Sequence, residues 1–189
     1  MYGSPSWGLG ETLSYRDRVI ANRYPIVYDL LVIITLDDLV DIRIRHKNKK
    51  IVLTSGTYDL FHIGHLNYLK AIKSYGDIVA VMLSGDARIS ARKGSERPIF
   101  PENERAQILD ALKIVDYVFI DPSKQKPDSV DPVHTDIISK LQPDLYVTDG
   151  DDIRFSKILD KSKLVILPRT EGGKHGSTTA IIKHITGRS

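Results

Sequence analysis

Two histidines separated by two residues lie in a glycine-containing segment that follows a short apolar run. The segment reads Ser55-Gly56-Thr57-Tyr58-Asp59-Leu60-Phe61-His62-Ile63-Gly64-His65, and an amphipathic stretch comes after it. A spacing of three places two side chains on the same side of a helix, and a glycine between them adds no side chain. Because a helix N-terminus offers free N–H donors and a positive dipole end, phosphate binds readily there. The segment therefore indicates a phosphate site at a strand-to-helix turn.

This segment also resembles the signature of a known family, the nucleotidyltransferases with a His-x-Gly-His motif. Residues Gly56 to His65 are similar to the version found in cytidylyltransferases and in the adenylyltransferase that activates heptose 1-phosphate. The likeness runs from about Lys49 to Ile185 and includes three further stretches in the same order. They are Lys93-Gly94 with Arg97-Pro98-Ile99, Pro101-Glu102-Asn103-Glu104-Arg105 leading to Val115-Asp116-Tyr117-Val118, and Ser177-Thr178-Thr179-Ala180-Ile181-Ile182.

The resemblance implies a transfer reaction at phosphorus. A phosphate of the acceptor attacks the α-phosphorus of a nucleoside triphosphate and expels pyrophosphate, which requires positioning and charge stabilisation more than covalent help. The residues that match the family's catalytic positions are His62, His65 and Lys93. The matching nucleotide-binding residues are Gly56, Thr57, Tyr58, Asp59, Gly64, Asp149, Gly150, Ser177, Thr178 and Thr179. Weaker matches for substrate binding are Arg97, Arg105, Arg169 and Lys174.

The resemblance further implies Mg²⁺ as a cofactor. The ion would bridge triphosphate oxygens and be held mainly by substrate and water. No metal site made by the protein alone is predicted, and Asp59 is the carboxylate considered as an additional ligand.

The substrates are less sharply indicated than the reaction. The stretches around Lys93 and Arg97 favour a sugar-phosphate adenylyltransferase, whereas Arg169-Thr170-Glu171-Gly172 and Asp151-Asp152 favour a cytidylyltransferase. The loop before Ser177 is three residues longer than in glycerol-3-phosphate cytidylyltransferases. We expect ATP as the nucleotide, with CTP as the alternative. For the acceptor we expect heptose 1-phosphate first, glycerol 3-phosphate second and FMN third.

Each candidate residue also has a purely structural interpretation. Ser177 or Thr178 alone would usually be an N-cap, and Lys93 with Arg97 would usually belong to a solvated loop after the second strand. Arg105 would make only weak surface pairs with nearby glutamates. The family context favours the functional interpretation for all of these except Arg105.

Two functions of other classes remain open at this stage. Asp59, His62 and His65 have a spacing that would allow a transition-metal site in a hydrolase, although no general base accompanies them. The chain could also be a nucleotide-sensing module without turnover. In that case one of the histidines or Lys93 would be expected to be absent, and all three are present.

The phosphate site needs a sheet and helices to position it, and the sequence predicts both. After Lys50, β-branched runs alternate with amphipathic stretches over most of the 189 residues. Strands are predicted at 51–54, 78–83, 117–120, 145–148 and 164–167, and helices at 65–74, 101–113, 135–141 and 178–185. The order indicates an α/β doubly wound, Rossmann-like parallel sheet, whose ligand lies at the carboxyl ends of the strands.

The chain is divided into residues 1–46, an N-terminal arm, and residues 47–189, a single nucleotidyltransferase domain. We expect residues 15–22 to be helical and residues 26–40 to form a helix or a strand. The arm carries apolar side chains that must pack on its own domain or on a second subunit. Because enzymes of the family that the chain resembles are commonly dimers, the resemblance implies a homodimer. Residues 121–132, with three prolines, are expected to form an extended loop.

Composition narrows the environment and the partners. Lys and Arg number 27 against 24 Asp and Glu, and because the signs are interspersed no nucleic-acid partner is expected. The longest apolar stretch contains too many charges to span a membrane, and the first fifteen residues lack the features of a secretion signal. The chain has no cysteine. We therefore expect a cytoplasmic protein with no membrane partner.

Overall fold

Five parallel strands form the centre of the structure, a computed structural model that describes residues 34–123, 132–149, 155–168 and 177–187. The strands are β1 (Ile51–Gly56), β2 (Ile78–Ser84), β3 (Tyr117–Asp121), β4 (Leu145–Thr148) and β5 (Leu164–Ile166). They lie in the order β3-β2-β1-β4-β5, and every neighbouring pair is parallel. The predicted doubly wound, Rossmann-like α/β sheet is confirmed, and the five predicted strands agree with it to within two residues at each end.

Six α-helices accompany the sheet in the described part of the chain. They are α1 (Asp38–Arg45), α2 (Ile63–Lys73), α3 (Asp86–Lys93), α4 (Glu102–Asp110), α5 (Pro132–Leu141) and α6 (Thr178–Thr186). Two short 3₁₀ turns, Phe155–Lys157 and Lys161–Lys163, lie between β4 and β5. All the described residues belong to one compact unit of the chain.

The core lies on both faces of the sheet, which explains why the central strands are continuously apolar. In β2 all six residues from Ile78 to Leu83 are buried. On one face, strand residues such as Val79 and Val81 pack with Leu69 of α2 and Leu109 of α4. Alternate strand residues point to the other face, where α1 and α5 contact each other.

The helix α3 corrects the sequence analysis, which predicted a loop after the second strand. Residues Asp86–Lys93 form a helix of eight residues, and Lys93 is its last residue. Only Arg88 and Ile89 are buried in it. A helix with one buried apolar side chain has no 3.6-residue apolar period, so the pattern that reveals other helices is missing here.

Part of the predicted N-terminal arm packs on the sheet of its own chain. The N–H of Ile34 donates to the carbonyl of Val118 at 2.8 Å, and Leu39 and Ile42 of α1 are fully buried. The helix α1 begins at Asp38, whose carboxylate accepts from the N–H and hydroxyl of Thr35 at 2.8 and 2.7 Å. Residues 1–33, with the helix predicted at 15–22, lie outside the described residues. The boundary at residue 46 and the homodimer stay predictions.

The topology places two strand ends side by side where the strand order reverses. From β1 the chain winds outward through β2 to β3, and it then returns to β4 on the other side of β1. In such sheets the ligand binds in the crevice outside the carboxyl ends at this point. The ends concerned are Gly56 of β1 and Thr148 of β4.

The burial of α1 leads to a testable prediction. Replacing the fully buried Leu39 with Ala should lower the free energy of unfolding by about 2–5 kcal/mol, because it leaves a cavity beneath the helix. The measurement is urea denaturation of both proteins. The same truncation at the neighbouring Val40, which is 42% exposed, is the matched control and should cost less than about 1 kcal/mol. Equal losses at the two positions would contradict the packing of α1.

Candidate active site

The loop that follows β1 makes a tight turn in which Gly56 has no room for a side chain. A Cβ atom at Gly56 would lie 2.6 Å from the ring of Tyr58. Tyr58 and Leu60 both have positive φ angles, 49° and 48°, and Tyr58 is buried. The turn therefore depends on a glycine at its start, and it folds the tyrosine ring back under the end of the strand.

Asp59 is a buried carboxylate that binds the segment after α3. Its oxygens accept from Nε of Arg97 at 2.9 Å and from the backbone N–H groups of Ile99 and Phe100 at 3.0 and 3.1 Å. Burial alone would raise the pKa of Asp59, but these N–H groups and the guanidinium outweigh it and lower the pKa. Asp59 is therefore a charged anchor between two loops.

The start of α6 is attached to the same residue. The Thr178 hydroxyl, which is buried, donates to the backbone carbonyl of Asp59 at 2.6 Å. The Ser177 hydroxyl accepts from the N–H of Ala180 at 3.1 Å and is the N-cap of α6. Ser177 and Thr179 are exposed. The Ser-Thr-Thr stretch thus lies beside the β1–α2 loop.

The two histidines form a stacked pair at the first turn of α2. The ring centroids of His62 and His65 are 3.9 Å apart with an interplanar angle of 24°. His62 caps the helix because its Nδ1 accepts from the N–H of Gly64 at 3.1 Å. A neutral His62 therefore carries its proton on Nε2. Burial lowers the pKa of His62, which favours this neutral form.

His65 is held neutral more strongly than His62. Burial, followed by the charges of His62 and Lys93, lowers the pKa of His65 to about 3. The rings of Tyr58 and Phe61 lie 5.2 and 5.5 Å from it. Its Nδ1 atom is buried and has no hydrogen-bond partner among the described residues. The pair therefore presents two uncharged imidazoles at neutral pH.

Lys93 brings a positive charge to this pair from the end of α3. Partial burial, followed by the charges of Arg92 and Arg97, lowers the pKa of Lys93 to about 8, although part of the side chain is exposed. Sequence reasoning did not identify Arg92, whose guanidinium contacts the hydroxyl of Thr57 at 3.3 Å. The position of Arg92 next to Lys93 was the only available signal, because a helix was not predicted there. The site thus contains several positive charges close to neutral imidazoles.

Arg105 corrects the expectation of weak surface pairs and of substrate contact. Its side chain is fully buried, and it donates to the carbonyls of Phe100, Thr57 and Ser84 at 2.9, 2.6 and 3.0 Å. It also donates to Asp86 at 2.7 Å. Arg105 therefore joins three loops beneath the site and has no exposed surface for a substrate.

The remaining predicted residues divide into those that are described and those that are not. Gly64 is buried in the first turn of α2. Asp149, directly after β4, is half-buried and close enough to raise the pKa of Tyr58, although burial of that ring is the larger cause. Gly150, Arg169 and Lys174 lie outside the described residues.

A metal site made of protein side chains does not fit the described residues. Within residues 34–123, 132–149, 155–168 and 177–187, no three His, Asp or Glu side chains could hold one ion together. Both carboxylate oxygens of Asp59, the residue considered as an additional Mg²⁺ ligand, accept hydrogen bonds from Arg97 or from backbone N–H groups. The same contacts remove Asp59 from the metal-hydrolase hypothesis.

The geometry can be compared with known proteins. The sequence profile described as cytidylyltransferase-like matches residues 53–185, which include the histidine pair, Lys93 and the start of α6. The chain belongs to this family. Among the helices that the structure describes, none has the length and apolar character needed to cross a membrane.

Similar curated proteins are described as bifunctional protein HldE. The one from Helicobacter pylori is 36% identical over 81% of this chain, and the one from Aliarcobacter butzleri is 36% identical over 76%. The chain spans only 31% and 28% of their lengths.

Solved structures share the fold. A lipopolysaccharide core biosynthesis protein from Thermoplasma volcanium has a TM-score of 0.52 and 25% identity over 65% of this chain and 98% of its own. A pantoate-beta-alanine ligase from Francisella tularensis has a TM-score of 0.53 over 79% of this chain and 71% of its own, and at 18% identity it shows the fold alone.

The neutral state of His65 predicts how stability depends on pH. In the unfolded chain His65 takes up a proton near pH 6.5, but in the folded protein only near pH 3. Below pH 6.5 the unfolded state therefore binds more protons, and the free energy of unfolding falls as the pH falls. His65→Gln lacks this contribution, so the stability of the wild type relative to the variant should fall by about 2 kcal/mol from pH 7.5 to 5.

The measurement is urea denaturation of both proteins at pH 7.5, 6 and 5. His184→Gln, an exposed position on α6, controls for the loss of a surface imidazole. A constant difference between the wild type and His65→Gln across this range would show that His65 is not held neutral.

Proposed function

We propose that this chain is a nucleotidyltransferase that joins a nucleoside triphosphate to a small phosphorylated sugar. An oxygen of the acceptor's phosphate attacks the α-phosphorus, the bond from that phosphorus to the bridging oxygen breaks, and pyrophosphate leaves. The observation that carries the proposal is the stacked pair of neutral imidazoles, His62 and His65, beside the Lys93 ammonium and the start of α6.

The roles of the side chains follow from their protonation. His62 donates through Nε2–H, since its Nδ1 is occupied by Gly64. A neutral donor can hold a phosphate oxygen in both the ground and the transition state without losing a proton to it. Lys93 supplies the full positive charge that balances the negative charge added at phosphorus. No protein nucleophile is required, because the acceptor's phosphate is the nucleophile.

The helix N-termini supply further donors. The first turns of α2 and α6 meet at the β1–α2 loop, and both have free backbone N–H groups. Thr178 keeps α6 in place through Asp59 and is not itself free for substrate. The exposed Ser177 and Thr179 are the residues proposed to contact the β- and γ-phosphates.

ATP is the proposed nucleotide and heptose 1-phosphate the proposed acceptor, because the stretches around Lys93 and Arg97 resemble those of the sugar-phosphate adenylyltransferase. CTP with glycerol 3-phosphate is the second pair, and FMN is the third acceptor. The chain spans less than a third of the relatives described as HldE, so the proposed activity is the transfer reaction and does not extend to any other activity of those proteins.

Mg²⁺ is proposed to enter with the triphosphate and to be held by its oxygens and by water. The described side chains do not form a site for it.

We also propose that the protein is cytoplasmic and that it forms a homodimer. Light scattering of the intact chain tests the homodimer. A monomer at all concentrations would exclude the dimer and leave the transfer reaction unaffected.

The test of the function is pyrophosphate release from ATP or CTP in the presence of heptose 1-phosphate, glycerol 3-phosphate or FMN. Release should be fastest with ATP and heptose 1-phosphate and should require both substrates. His62→Ala and His65→Ala should each lower kcat about 100- to 1000-fold, because each removes a donor to the transition state. The exposed His184→Ala is the matched control and should leave kcat unchanged.

Other outcomes separate the alternative functions. Nucleotide binding without release of pyrophosphate from any pair would indicate a sensing module. Release of inorganic phosphate without an acceptor would indicate a hydrolase. Turnover within threefold of the wild type in both histidine variants would exclude the proposed phosphate contacts.

The lowered pKa of Lys93 predicts the alkaline limit of activity. With a pKa of about 8, Lys93 loses its charge above that pH, so kcat/KM of the wild type should fall in the same range. Lys93→Arg keeps its charge, and its lower activity should no longer fall between pH 8 and 9.5. The measurement is the pH profile of kcat/KM, with the exposed Lys70→Arg as the control. If kcat/KM of Lys93→Arg fell above pH 8 as it does in the wild type, a group other than Lys93 would cause the alkaline limit.

A further inference from the structure

A cluster of polar side chains lies at the carboxyl end of β3, away from the histidine pair. It consists of Arg88 on α3, Asp121 and Ser123 at the end of the strand, and His134 on α5, and we call it the Arg88 cluster. All four residues are at most 5% exposed. The proposed reaction uses none of them.

The contacts of the cluster centre on Asp121. The N–H of Ser123 donates to Oδ1 of Asp121 at 2.9 Å, and Nε2 of His134 lies 3.2 Å from Oδ2. Arg88 donates from Nη1 to the hydroxyl of Ser123 at 2.8 Å, and its Nε is 3.9 Å from Oδ2 of Asp121. Burial would raise the pKa of Asp121, but the bonds from His134 and Ser123 outweigh it and lower the pKa to about 2.

Burying charged and polar side chains in such a cluster costs free energy of desolvation. Each buried charge loses its hydration, and apolar side chains of the same volume often stabilise a fold as well or better. Polar groups bind in defined directions, however, and apolar contacts do not. A buried ion pair can therefore fix the position of a segment that has little apolar surface of its own.

The helix α3 is such a segment. Ile89 is its one buried apolar residue. Its start is bound to α4, because the N–H of Asp86 donates to Glu102 at 2.7 Å and the Asp86 carboxylate accepts from Arg105. Arg88 is a further polar attachment of this helix, and Lys93 lies five residues after it.

We propose that Arg88 and Asp121 are positioning residues that hold α3 so that Lys93 reaches the triphosphate. The inference rests on the proposed function, because it gives Lys93 its task. Displacing a group by about 1 Å can cost two orders of magnitude in rate. An ion pair one and a half turns before Lys93 limits such a displacement.

A double-mutant cycle on the full chain tests the proposal. Asp121→Asn should lower kcat/KM about tenfold when Lys93 is present and less than about twofold in the Lys93→Ala background. The effects of Asp121→Asn and Lys93→Ala on kcat/KM are not additive, because Asp121 acts through Lys93. Additive losses in the double variant would overturn the proposal and leave Asp121 as a residue of general stability.

Milder substitutions in the Arg88 cluster keep the test decisive if Asp121→Asn does not fold. Ser123→Ala removes only the hydroxyl that accepts from Arg88, and Arg88→Lys keeps the charge but not the planar group. Both should lose less activity than Asp121→Asn or Arg88→Met, and Arg88→Lys should retain more than Arg88→Met. If Asp121→Asn fails to fold, the same cycle is measured with Arg88→Met, and the smaller loss in Arg88→Lys is its internal control.

Asp116→Asn is the matched control at the opposite end of β3. Asp116 accepts from Lys73 and from the N–H of Val79, both at 2.8 Å, and α3 has no part in these bonds. Its loss should affect stability but leave the effect of Lys93→Ala unchanged. If Lys93→Ala alone has no effect on kcat/KM, the role of Lys93 in the proposed function fails. If Lys93→Ala lowers activity but Asp121→Asn and Arg88→Met do not, only the present inference fails.

Discussion

One buried carboxylate, that of Asp59, determines how the parts of the candidate site are joined. The carboxylate of Asp59 accepts from Arg97 and from the backbone of the segment before α4. The backbone carbonyl of Asp59 accepts from Thr178 at the start of α6. Three chain segments therefore meet at one residue. A buried charge is tolerated only when donors surround it, and these donors come from segments that must lie correctly to provide them. The arrangement of the site therefore depends on the hydrogen bonds that the buried charge of Asp59 requires.

The electrostatic balance around this anchor explains the protonation of the histidines. Guanidinium and ammonium groups crowd the turn, and among them Lys93 has a lowered pKa and helps to keep His65 neutral. The surplus of positive charge has no full counterpart among the described carboxylates, since Asp59 and Asp86 are already bound by Arg97 and Arg105. A polyanion would supply the missing negative charge. The described residues of the candidate site thus carry excess positive charge, which favours the binding of an anion.

The sequence predicted the sheet and the histidine turn well because both depend on local patterns. Buried parallel strands are continuous apolar runs, and the histidine spacing is visible within eleven residues. The helix α3 has no apolar period to reveal it, and the tasks of Asp59 and Arg105 were missed for another reason. Asp59 is 38 residues from Arg97 in the chain, and Arg105 is 48 residues from the carbonyl it binds at Thr57. No local pattern reports a partner at such a distance, so a motif can identify a residue as important and still suggest the wrong contact.

The bond between Thr178 and Asp59 also has a consequence for biosynthesis. Its two ends are 119 residues apart, and a ribosome that adds about 5–20 residues per second needs roughly 6–24 s to cover that distance. During this interval the first strands can pair, because β1, β2 and β3 are complete by Asp121. The turn with the two imidazoles still lacks the helix that closes it. A nascent chain therefore passes through a period in which the sheet has begun to form but the candidate site is not yet complete.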